Sequence, residues 1–96
     1  MPLFVAQHVH KAETCPAGDP QMGPMLLKML AAPNADQFGV TVKSEAVLDG
    51  RHTLFVIAEA ENVGKVQEFM APFSQMGTVE VWPASTCERV VDRGKC

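Results

Sequence analysis

The stretch Val40-Thr41-Val42-Lys43-Ser44-Glu45-Ala46-Val47-Leu48-Asp49-Gly50-Arg51-His52-Thr53-Leu54-Phe55-Val56-Ile57-Ala58-Glu59 decides the fold. In residues 38–48, Val40, Val42, Ala46 and Leu48 alternate with Thr41, Lys43 and Glu45, the period-two pattern of a strand. Asp49-Gly50 is a pair that tight hairpins favour, because both positions of such a turn need positive φ. Residues 52–59 are apolar at four consecutive positions, Leu54 to Ile57, which predicts a central strand covered on both sides. The middle of the chain is therefore expected to be an antiparallel hairpin.

On the N-terminal side, Leu3-Phe4-Val5-Ala6-Gln7-His8-Val9-His10 predicts a first strand, with Phe4, Ala6, His8 and His10 on one face. Cys15-Pro16-Ala17-Gly18 reads as a loop. Asp19-Pro20 reads as a helix start, since Asp19 can accept from a free N–H of the first turn and Pro20 needs none. Met22, Met25, Leu26, Met29 and Leu30 form the apolar stripe of that helix, and Pro33 is expected to stop it. On the C-terminal side, Asn62 caps a second helix with the stripe Val63, Val66, Phe69, Met70 and Phe73, which Pro72 shortens or kinks. A last strand follows at about 78–83.

The order strand, helix, strand, strand, helix, strand predicts an α+β domain of ferredoxin-like βαββαβ type over residues 1–84. Its antiparallel four-stranded sheet has spatial order 4-1-3-2, with two helices on one face. The other face, expected to carry Phe4, Trp82 and part of the third strand, is left bare. A second copy packed face to face would cover it, giving a dimeric α/β barrel, and a homodimer or higher homo-oligomer is expected. Residues 85–96 form a C-terminal tail with a helical turn around Glu88 to Val91, a docking element for a protein partner.

Composition narrows the function. Of 96 residues, 47% are hydrophobic and 20% charged, a globular balance, and the formal net charge is −3. Without a basic cluster the chain is not expected to bind nucleic acid. No apolar run reaches the ~18 residues of a membrane span. The start Met1-Pro2-Leu3-Phe4-Val5 lacks the basic region of a secretory signal, so a cytoplasmic location is expected. Three cysteines, Cys15, Cys87 and Cys96, do not make a disulfide framework, although Cys87 and Cys96 are able to pair under oxidation.

The chemistry-bearing residues are few. His8 and His10, two apart on a strand, share a face with Cα atoms about 6.5–7 Å apart, close enough to share one metal ion. In the expected topology the end of the first strand lies beside the start of the third. His8, His10, His52 and the loop residue Cys15 are therefore brought to one edge of the sheet. Imidazole suits zinc, copper and nickel, and thiolate adds affinity for the softer ions. Ordinary hydrogen-bonded strand-end histidines explain the same residues. The methionine stripe is expected to be core. Glu45, Glu59 and Glu80 are solvated strand carboxylates unless two of them share a cavity.

The opening Leu3 to His10 and the segment His52 to Glu61 carry a resemblance to the small ferredoxin-like, dimeric α/β-barrel proteins. They are loosely similar to short uncharacterised bacterial nickel-binding proteins of that fold. The resemblance implies metal ligation by the histidines at the end of the first strand, His8 and His10. The Cys15-Pro16 loop and the cysteine-bearing tail depart from it. The expected function is a small metal-binding or metal-sensing protein. The alternatives are a dimeric α/β-barrel enzyme with a small-molecule or haem pocket using His8, His10 and Trp82, or an accessory subunit of a larger complex. No phosphate loop, nucleophile elbow or other motif names a reaction.

Overall fold

A computed structural model describes all residues from Met1 to Cys96. Four strands, β1 (Leu3–His10), β2 (Thr41–Leu48), β3 (Thr53–Glu59) and β4 (Gly77–Ala84), form one antiparallel sheet in the order β2-β3-β1-β4. Helices α1 (Met22–Leu30), α2 (Ala32–Gln37), α3 (Val63–Met70) and α4 (Cys87–Arg93) complete the chain, with short 3₁₀ turns at Ala12–Thr14, Pro16–Gly18 and Ala71–Gln75. This is the expected α+β architecture and strand order. No helix is long and apolar enough to cross a membrane.

The expected capping residues act as such. The Asp19 carboxylate accepts from the backbone N–H of Gln21 and Met22 at 2.8 and 3.0 Å. The Asn62 side chain accepts from Lys65 N–H at 3.1 Å. Pro72 ends α3 at Met70 by opening the 3₁₀ turn that follows. Pro33 acts differently from expectation. The first helix stops at Leu30, Ala31 is extended, and Pro33 sits in the first turn of α2, where a missing N–H costs nothing.

The core lies between the sheet and α3. Phe4, Ala6, Leu54, Val56 and Ala58 come from the sheet, and Val66, Phe69, Met70 and Phe73 cover them. Phe4 therefore belongs to the helix-covered face, with Ala6 and His8, and not to the bare one. The opposite face carries Trp82, Val5 and Ile57 in one cross-strand row. Trp82 and Ile57 are 42% and 38% exposed. β3 is thus covered on one side within a single chain, and the open side is the surface through which a face-to-face pair of sheets would pack. Pro83 is tolerated because β4 is an edge strand.

Two expectations about side-chain faces change. A bulge between Val42 and Ser44 shifts the β2 register by one. Val42 opposes Ala58 on the helix face, but beyond the bulge it is Glu45 and Val47 that take this face, and Ala46 and Leu48 turn to the open one. On α1 no residue is buried, and Met25 is 54% exposed. Leu26, Met29 and Leu30 only lean on the core. The methionine stripe is narrower than its spacing implies, because α1 packs mainly on α2 and the Pro16–Gly18 turn rather than on the strands.

Candidate metal centre

The site is built where β1 ends, β3 begins and the loop from β1 to α1 returns. His8 and His10 share a face, as their spacing predicts, and with Phe4 and Ala6 that face is the helix-covered side of the sheet rather than the bare one. His8 is 2% exposed. It lies against Phe73, the ring centroids 5.2 Å apart, and stacks on His10, also at 5.2 Å. β4 approaches β1 closely here because Gly77 opposes His10, and a Cβ at Gly77 would run into the Val9 carbonyl oxygen.

His52 lies in the four-residue turn before β3 rather than on the strand itself. Its φ of 51° is the only positive value outside glycine. Such a conformation costs on the order of 1 kcal/mol or more and persists where surrounding contacts impose it. The contact here is the His10 N–H donating to the His52 carbonyl at 3.1 Å, which ties the turn to the end of β1. The His10 and His52 rings meet edge to face, 5.2 Å between centroids. Cys15 sits between two 3₁₀ turns, followed by the buried Pro16.

Two nitrogen donors and one sulfur donor thereby converge. The ligand atoms of His10, Cys15 and His52 all lie within 4.8 Å of one another. A tetrahedral zinc centre with ordinary bond lengths separates its ligand atoms by about 3.3–3.8 Å. The longest gap therefore needs to close by roughly 1 Å, within reach of side-chain rotation.

The hydrogen bonds fix which atoms are free. The Thr78 carbonyl only accepts, so His8 Nδ1 carries the proton and donates to it at 3.1 Å. His8 Nε2 then bears a lone pair and accepts from His10 Nδ1–H at 3.3 Å. His10 Nε2 is left with a lone pair, buried and without a hydrogen-bond partner. Both rings of this pair are held neutral. Burial depresses His8, partly offset by the Thr78 hydrogen bond and assisted by His10. Burial also depresses His10, assisted by His52.

This has a consequence for stability. The unfolded histidines titrate near 6.5, the folded ones lower. Above that pH both states are neutral and the contribution is complete. As pH falls through and below 6.5, the unfolded chain binds protons that the native chain refuses, and stability drops. The urea midpoint of the metal-free protein is expected to be flat from pH 8 to 7 and to decline toward pH 5. His8→Gln, which still donates to Thr78 but does not titrate, is expected to flatten that decline; an unchanged slope would assign it to other groups.

The placement of the remaining candidates is direct. His8 lies behind His10, with both ring nitrogens engaged. Trp82 is on the opposite face of the sheet from the histidines. Cys87 opens α4 beyond the end of β4 that pairs with Leu3, at the far end from His10, and all three cysteines are free. The tail is a capped helix, Cys87–Arg93, longer than the expected turn, with Thr86 accepting from Arg89 N–H and Gly94 closing it at positive φ. Glu59 pairs with Lys43 at 3.5 Å. A hollow of about 630 Å³ at the Leu3 end of the sheet contains Arg89 and Arg93 but no histidine or cysteine. Phe73 is expected only as part of an apolar stripe and Thr78 only as a strand residue; that they position His8 follows from where the 3₁₀ turn after α3 packs and from the β1–β4 register, which no local pattern encodes.

Residues 20–95 match the family described as a domain of unknown function, DUF3303. His52 lies inside the matched region, whereas His8, His10 and Cys15 precede it. No curated protein matches the chain. With most of its length covered by this match, the chain belongs to the DUF3303 family.

Proposed function

We propose that this protein binds one transition-metal ion through His10 Nε2, Cys15 Sγ and a ring nitrogen of His52, with His8 orienting His10. The observation that carries the reading is the buried His10 Nε2, a lone pair with no hydrogen-bond partner beside a thiol and a second imidazole. A buried acceptor left unpaired is costly, and native structures contain few. A metal ion repays that cost directly. The chain Thr78 carbonyl, His8, His10 is the kind of outer support that fixes the tautomer of a ligating histidine and raises its basicity.

Two imidazoles and one thiolate favour zinc or copper. Nickel in a square-planar site asks for four donors in one plane, and this group supplies three. Metal-free protein, purified without a histidine tag, is to be dialysed against zinc, copper or nickel and its metal content measured. One equivalent of zinc or copper is expected, held at least tenfold more weakly by Cys15→Ser. Sub-stoichiometric content with all three ions, or full affinity in Cys15→Ser, would overturn the proposal.

A further inference from the structure

We infer that the metal centre keeps one coordination position for an outside ligand, and that this ligand is a small carboxylate with a hydrocarbon tail. The inference rests on the metal-binding reading above. The three donors line a cavity of about 280 Å³ whose walls include Leu26, Leu54 and Phe73. A second hollow of about 430 Å³ shares Ala17, Leu26, Val47, Leu54 and Phe73 with it, so the two run on as one groove between α1 and the β2–β3 hairpin.

The groove exists because this half of the sheet is thinly covered. Val47 opposes Leu54 on the helix face yet is 56% exposed, and α1 buries none of its residues. Centres with three protein ligands and an open fourth position are those that meet exogenous molecules, whereas four-ligand sites are closed and structural. Apolar walls with a few convergent polar groups at one end are the usual form of a small-molecule site.

The chemistry of the walls selects the head group. Beyond the histidines and Cys15, the only charged side chains along the groove are the exposed Asp49 and Glu45, and no Lys or Arg lines it. An anionic head therefore has one partner, the metal. A divalent ion with two neutral imidazoles and one thiolate retains a single positive charge, which one carboxylate neutralises. A phosphate would bring a second charge with nothing to meet it, and an ammonium would pair with the exposed Asp49 or Glu45 rather than with the cationic metal.

The test uses the full chain loaded with cobalt(II), whose visible spectrum reports coordination. Cobalt uptake is recorded first, and then acetate, hexanoate and hexylamine are titrated in separately. Each buried methylene strengthens binding about fourfold. Hexanoate is expected to change the cobalt spectrum and to bind at least tenfold more tightly than acetate, with hexylamine inert. If cobalt binds but hexanoate leaves the spectrum unchanged, the open-position inference fails and the metal site stands. Equal affinities for acetate and hexanoate would remove the apolar groove from the site, and a response to hexylamine alone would overturn the carboxylate assignment. Absence of cobalt binding would overturn the metal site and this inference together.

Discussion

Replacing His10 by alanine is expected to weaken metal binding by more than about 100-fold. Loss of an outer partner of a ligating histidine typically costs 10–100-fold, and loss of the ligand itself costs more. His8→Ala, which removes only that outer partner, is expected to fall in the smaller range. The effect is readable as heat stability. Metal at about 100 times its dissociation constant adds about 2.7 kcal/mol to a folded state that alone binds it. In a domain of this size that raises the melting temperature by roughly 10–20 °C. The native sequence is expected to show this rise on adding zinc, His10→Ala none, and His8→Ala a reduced one. A full rise in His10→Ala would remove His10 from the ligand set.

Phe73→Ala is expected to produce the largest loss of stability and to damage the metal site at the same time. Phe73 is 1% exposed and its ring packs on His8. Truncating a buried phenylalanine costs about 3–5 kcal/mol, a large share of the roughly 5–15 kcal/mol that holds a domain together. The cavity left behind also frees the His8 ring to leave the position that orients His10. Phe69→Ala supplies the comparison, because Phe69 is equally buried but meets Phe38 edge to face instead of a histidine. Both variants are expected to lower the urea midpoint by similar amounts. Under conditions where both remain folded, only Phe73→Ala is expected to lose metal affinity, by about tenfold or more. Equal metal affinity in the two variants would show that Phe73 stabilises the core without supporting the site.

The fold was legible wherever the signal was local. Asp19, Asn62 and Pro72 act within a few residues of themselves, and each does what its chemistry implies, whereas Asp49-Gly50 makes the expected hairpin through a four-residue turn in which Gly50 and His52, not Asp49, take positive φ. Signals that depend on distant partners were misread. The face of Phe4 is set by where α3 packs. The face of Ala46 and Leu48 is set by a bulge that nothing in their alternation announces. The partial exposure of α1 follows from its packing on α2 and the Pro16–Gly18 turn rather than on the strands, not from its stripe. At the site, the strand order and the loop leaving β1 were enough to place His8, His10, Cys15 and His52 at one edge, of which His10, Cys15 and His52 bring their ligand atoms together. What the strand order did not reveal was the hydrogen-bonded chain from the Thr78 carbonyl through His8 to His10. That depends on which carbonyl β4 presents at Thr78, a matter of register across a sequence separation of 70 residues.

The coordination shell itself is the most direct test. X-ray absorption at the metal edge of the zinc- or copper-loaded protein distinguishes nitrogen from sulfur neighbours by distance. For zinc, two imidazole nitrogens at about 2.0–2.1 Å and one sulfur at about 2.3 Å are expected, with one further light atom completing the shell. Cys15→Ser is expected to erase the sulfur contribution. A shell of nitrogen and oxygen alone in the native protein, or a sulfur contribution that survives in Cys15→Ser, would contradict a centre built from His10, Cys15 and His52.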